Sequence, residues 1–404
     1  MVINLERLPE NRFEWIFSNG FRPMFVLVSL QALLALAAWL GFWTGWLPVP
    51  EPLPQPLLWH GHEMLFGFVG AAIGGFLLAA VANWTGRKPV SGLPLVLLAL
   101  CWLLARVVAF WGGGWPPAVN ALGAVAYWLL LACLFGRELI LANNRRNLKV
   151  LVIIGAFALL SLAFHLHWLP GLDVLHLSLV LILVLLTLIG GRITPAFTRN
   201  WLKRTSGDES PMPALFSPVD ITAAALTPLA GVVWVFWPQQ WPTALLLLGA
   251  GLAQLIRLIR WRGWLTRSEP LLLVLHLGYG WLAVGLLLLA GSSAGLWLAS
   301  AGVHALTVGA MGGMIMAVAA RAALGHTGRE LKAGPLLTLA FIALHLAALV
   351  RVGAVVVPAA MMQLIVISGL LWLFAFGGFA WRYLPILLGP SVSFSERLKT
   401  QKKN

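Results

Sequence analysis

The chain is a succession of apolar runs, each close to the length a bilayer demands, divided by short punctuation of glycine, proline and basic residues. A helix needs about twenty apolar residues to cross the hydrocarbon layer at a rise of about 1.5 Å each. The pattern predicts twelve such helices, over approximately 22–46, 58–83, 93–112, 116–141, 148–168 and 171–196, then 218–237, 240–262, 270–290, 295–323, 334–354 and 357–384. The expected fold is all-α: a polytopic membrane protein of about twelve transmembrane helices. It forms a single membrane domain over 1–404, with an interfacial arm at 1–21, helices within 22–384 and a basic tail at 385–404.

Composition agrees. Of the 404 residues, 60% are hydrophobic and 10% charged, which leaves no stretch for a soluble domain. The formal charge of +14 could suggest nucleic acid, but its placement excludes that partner. Apart from Arg106 and Arg351, the basic residues fall at alternate connections, and the intervening turns Trp46–Leu58, Gly112–Pro117, Trp237–Trp241 and Gly291–Gly295 carry none. That asymmetry predicts both termini on the cytoplasmic side. Tryptophans such as Trp43, Trp46, Trp59, Trp111, Trp237 and Trp241 sit at the predicted helix ends as an interfacial belt. No cleavable signal is expected before the first apolar run, which is full length and lacks a small-residue cleavage site. Two cysteines, Cys101 and Cys133, lie within apolar runs and read as packing, so no disulfide framework organises the chain.

Chemistry concentrates in Trp59-His60-Gly61-His62-Glu63-Met64-Leu65-Phe66-Gly67-Phe68, where two histidines and a carboxylate open an apolar helix. Ionisable groups in such a place are costly and mark function. On a helix His60 and His62 face different sides, so one helix end can serve two sites. With the predicted topology, His165, His167, His176 and His304 fall near the same outer level. Singly, each reads as an interfacial histidine; together they suggest a metal or haem site, since imidazole is the common ligand for both. Arg106 and Arg351 are the basic residues near outer helix ends, where a guanidinium either snorkels to headgroups or pairs a carboxylate such as a haem propionate. His276 reads as a helix–helix hydrogen bond or a deeper polar site, and His326 and His345 are not expected as ligands. Glycine ridges at Gly67, Gly70 and Gly74 and at Gly309, Gly312 and Gly313 predict close helix packing, with the second and tenth helices brought together centrally. The nearby Met311, Met314 and Met316 read as gap-filling. No zincin motif, phosphate loop or nucleophile turn occurs.

Gly20-Phe21-Arg22-Pro23, the Trp59–Gly67 stretch, Asn83-Trp84-Thr85-Gly86-Arg87, Gly191-Arg192-Ile193-Thr194-Pro195 and the run from Val308 to Arg329 resemble the NnrS family over almost the whole chain. That resemblance implies a bacterial inner-membrane protein with haem and copper, linked to nitric oxide metabolism, denitrification and protection from nitrosative stress. A more distant similarity is to the catalytic subunit of haem-copper oxidases and nitric oxide reductases, in whose second helix His60, Gly61, Met64 and Phe66 match a haem-binding pattern. The seventh helix lacks a His-His pair, the tenth has one histidine, and no tyrosine stands one turn after His176, so a complete oxygen-reducing centre is not expected.

The reading that follows is a haem-copper-oxidase-like bundle acting on nitric oxide or a related small molecule, supplied by an electron donor. His60 and His304 are expected to ligate one b-type haem, Arg106 and Arg351 to hold its propionates, and His62 and His176, with His167, to line a copper-capable site. A membrane transporter, or a haem-based sensor or assembly factor without turnover, is the alternative.

Overall fold

In the computed structural model, the described residues are 9, 11–50, 53, 55–206, 212–214 and 216–392. Among them there is no strand, and twelve helices are long and apolar enough to cross a membrane. In chain order these are α1 (Phe21–Thr44), α2 (Pro56–Thr85), α3 (Leu93–Gly114), α4 (Pro117–Leu141), α5 (Arg145–His165) and α6 (Gly171–Thr205). They continue as α7 (Pro218–Phe236), α8 (Trp241–Arg260), α9 (Pro270–Ser293), α10 (Ser300–His326), α11 (Gly334–Gly353) and α12 (Pro358–Leu387). The protein is therefore an all-α, multi-pass membrane protein, as the apolar periodicity predicts. A short helix, Arg12–Ile16, precedes α1, capped by the Asn11 side chain on the Glu14 amide at 3.0 Å. Most of the basic tail lies outside the described residues.

Helix ends follow local chemistry. Proline occupies the first turn of α2, α4, α7, α8 and α9, where its missing N–H costs nothing. Gly45 and Gly86 end α1 and α2 in the left-handed conformation, at φ 76° and 69°. The largest departure from the expected spans is α6, which runs on to Thr205 instead of stopping near 196. Its last part, Gly191–Ser206, is amphipathic and carries Arg192, Arg199, Lys203 and Arg204, so hydropathy alone ends the helix too early.

The chain folds as two compact units, one comprising residues up to Ser178, Ala319–Leu331 and Phe376 onward, the other Leu179–Val318 and Lys332–Ala375. The first has an aromatic core, with Phe66, Phe135, Trp128 and Phe157 almost fully buried and Trp128 stacked on Phe157 at 4.7 Å. The second is packed by Leu282, Leu286, Leu306, Ala310, Met316 and Leu344. Its glycine ridge on α10 meets Trp281 and Gly278 of α9, Leu344 and His345 of α11, and Trp372 of α12. The ridge on α2, in the first unit, receives side chains of α1, α3 and α4 instead.

Candidate functional site

Three spans are interrupted by π-helical turns: Glu63–Val69 in α2, Leu186–Gly190 in α6 and Ala305–Gly312 in α10. Such turns widen the helix and displace carbonyls from their usual donors, and they recur at functional positions. In α2, side chains take up that slack. Trp102 Nε1 donates to the Gly67 carbonyl at 3.0 Å, and the Tyr127 hydroxyl donates to the Gly70 carbonyl at 2.7 Å. Gly67 has no room for a side chain, because a Cβ would lie 2.5 Å from Arg106 Nη1 and 2.7 Å from Gln31 Nε2.

Those two donors converge on Glu63, which is 3% exposed. Arg106 Nη1 donates to Oε1, and Gln31 Nε2 donates to Oε2 at 2.8 Å. His62 Nδ1 lies 3.0 Å from the same Oε1. A carboxylate paired with a guanidinium offers only acceptors, so Nδ1 carries the imidazole proton and Nε2 is a bare lone pair. That Nε2 is buried and has no hydrogen-bond partner. Buried polar atoms are ordinarily satisfied, so this nitrogen is a candidate position for a bound water, ion or ligand.

The His62 ring is 2% exposed and is walled by Phe66 at 4.9 Å, Phe164 at 4.8 Å and His165 at 5.3 Å between ring centroids. His165 directs Nδ1 to the Ser161 carbonyl at 2.9 Å, which makes it a donor there and leaves Nε2 as the lone-pair nitrogen. Two buried imidazoles therefore stand nearly perpendicular, each with its Nδ1–H held by an oxygen. This is the arrangement by which proteins orient histidines for metal binding. Among the described residues, no three His, Cys, Asp or Glu side chains gather closely enough to hold a metal ion.

His60 faces the other side of α2, stacked on Trp39 at 4.5 Å and 17°. Around it Ala35, Trp39, Leu53 and Trp59 form a small core, with Phe42, Met64 and Phe110 packed against it. His167 is exposed in the turn after α5 with φ 56°, and His176 is half-buried near the start of α6. In the second unit, His304 directs Nδ1 to the Ser300 carbonyl at 2.8 Å, with the Ser300 hydroxyl at 3.2 Å. Arg351 donates to the same hydroxyl at 3.2 Å, so one serine joins these two expected site residues. His345 accepts the Trp281 indole N–H at 3.1 Å, and His276 is hydrogen-bonded across helices to Thr198 at 2.8 Å.

Arg106 finds its carboxylate within the chain, in Glu63, yet keeps a buried Nε without a partner. The sequence alone leaves Glu63 as an unneutralised charge and singles out neither Gln31 nor His165 as a member of the site. A signal for His165 exists, since it shares the outer level with His62; Gln31 gives none, being a lone amide on another span.

These features define a multi-pass, all-helical membrane protein with a buried histidine–carboxylate cluster among its spans. The NnrS protein family model matches residues 15–391, and the chain belongs to the NnrS family. No curated protein matches it.

Proposed function

We propose that this NnrS-family protein acts in nitric oxide metabolism or defence against nitrosative stress, binding nitric oxide or a related small molecule at a redox centre in the bacterial inner membrane. In this proposal both termini lie on the cytoplasmic side. The observation that carries it is the His62 imidazole, whose Nε2 is buried and unpartnered while its Nδ1 is fixed on the Glu63–Arg106–Gln31 clamp. The clamp holds both the ring orientation and the tautomer. His165 supplies the second nitrogen, and Phe66 and Phe164 keep the surroundings apolar, which suits a small uncharged ligand.

The donor set fits copper, for which neutral imidazole is a good ligand, with His62 and His165 as the two nitrogens and His176 and His167 as further candidates. Haem b is the second cofactor of the proposal, with His304 of the second unit a candidate iron ligand. His304 has the Nδ1–H···O=C anchor that would orient a histidine toward a bound iron. Arg351, and the unpartnered Nε of Arg106, are guanidinium donors suited to propionates. Bound haem would supply one-electron chemistry, with its potential set by the axial ligands.

Metal analysis together with a reduced-minus-oxidised spectrum of the purified protein tests this. Copper should be lost in His62→Ala and in His165→Ala while haem is retained, and His304→Ala should abolish or convert the haem spectrum. Copper at the wild-type level in the His62→Ala/His165→Ala double variant overturns the assignment.

A further inference from the structure

In the second unit, a buried polar cluster that shares no residue with the site above lies at the end of the spans that carries the basic connections. Arg257 of α8 is 6% exposed, and its Nε donates to Asp220 Oδ1 of α7 at 2.6 Å. Its Nη1 donates to the Thr187 carbonyl of α6 and to the Tyr279 hydroxyl of α9, both at 2.7 Å. Tyr279 donates in turn to Gln254 Oε1 at 2.6 Å, and Gln254 Nε2 donates to the Thr187 and Thr227 hydroxyls at 2.9 and 2.8 Å. One guanidinium thus ties α6, α7 and α9 to the span that carries it.

What it grips on α6 is a break. Leu186–Gly190 is π-helical, Gly191 follows, and Pro195 lies one turn further on. Proline has no N–H, so the Gly191 carbonyl loses its usual donor four residues later, just where the π turn has already disturbed the ladder. Both glycines are closely approached: a Cβ on Gly190 would be tight against Met314 Cε at 3.0 Å, and one on Gly191 would overlap the Arg257 guanidinium. Beyond the break, the Gly191–Ser206 arm is held by Thr198 to His276 at 2.8 Å and by Arg199 to the Pro213 carbonyl at 3.1 Å. Apolar packing can hold two straight helices together as well as an ion pair can. It supplies no hydrogen-bond donor to a carbonyl within the π turn, whereas the Arg257 guanidinium does so at Thr187.

We propose that Arg257, paired with Asp220 and bound to the Thr187 carbonyl against Gly191, is the latch of a hinge in α6. Closed, it fixes the Gly191–Ser206 arm; opened, it frees the arm to pivot at Gly190 and Gly191. The discontinuity and the charge pair then belong to one device.

Hydrogen exchange read by mass spectrometry on the full chain in lipid nanodiscs tests this. In Arg257→Gln, amides over 187–205 should exchange about tenfold faster, as expected for a locally opened segment, while those over 283–293 of α9 stay unchanged. Gly191→Ala keeps each latch group but pushes the guanidinium away from the hinge side, and should give the same regional pattern. Unchanged exchange over 187–205 in a folded Arg257→Gln protein overturns the latch. So does acceleration spread equally over the second unit, which would make Arg257 a general stabiliser. Should Arg257→Gln not fold, Gly191→Ala decides by the same two criteria.

Discussion

Glu63 of α2 and Arg106 of α3 form an ion pair within the first unit, so the carboxylate beside the two histidines is neutralised from inside the chain. Removing one partner leaves a buried charge alone, whereas removing both does not. Glu63→Gln should therefore destabilise the protein by about 3–5 kcal/mol. The Glu63→Gln/Arg106→Gln double variant should lose less than the sum of the singles, with a coupling of about 1–3 kcal/mol. Thermal unfolding of the four proteins in one detergent measures this, and additive losses would show that the pair does not act as a unit.

Gly67 is the backbone position on which the clamp closes. Gly67→Ala should displace Arg106 and Gln31 and cost about 1–3 kcal/mol through overpacking. Gly155→Ala in α5 meets nothing within 4 Å and should be neutral or stabilising by up to about 1 kcal/mol, the ordinary gain in a helix. Equal effects of the two changes on melting temperature would contradict the close approach at Gly67.

Ser300 links Arg351 to His304. Ser300→Ala removes the shared hydroxyl but keeps the backbone carbonyl that holds His304 Nδ1. Haem content should survive in Ser300→Ala and fall in Arg351→Gln, without unfolding in either. Unchanged haem content and potential in Arg351→Gln would leave that guanidinium to the headgroups.

The basic connections predict the orientation proposed above, with both termini cytoplasmic. In a background lacking Cys101 and Cys133, a cysteine at Gly113 should react with an impermeant thiol reagent added to intact cells, and one at Arg145 should not. The reverse pattern would invert the topology.

The twelve spans were legible because membrane thickness imposes one length on every helix, and Gly, Pro and basic residues mark the ends whatever the tertiary packing. The opposed faces of His60 and His62 were legible for a similar reason, since two residues on a helix subtend about 200°. The carboxylate clamp was not. Gln31, Glu63 and Arg106 come from three spans, and no linear spacing encodes which spans adjoin. The π turns were also hidden, because an extra residue per turn has no composition of its own; Gly67 and Gly70 read only as a packing ridge. The extension of α6 beyond about residue 196 is hidden for a third reason, as its polar face stops a hydropathy reading where the helix continues.

The central claim is that His62, with its Nδ1 on Glu63 and its Nε2 bare, is a metal-binding imidazole partnered by His165. Copper K-edge X-ray absorption on copper-loaded protein tests it most directly. The expected wild-type spectrum has a first shell of nitrogen with outer-shell scattering from two imidazole rings, and no bound copper remains in His62→Ala or in His165→Ala. A first shell containing sulfur, or a wild-type copper spectrum that persists in His62→Ala, would contradict it.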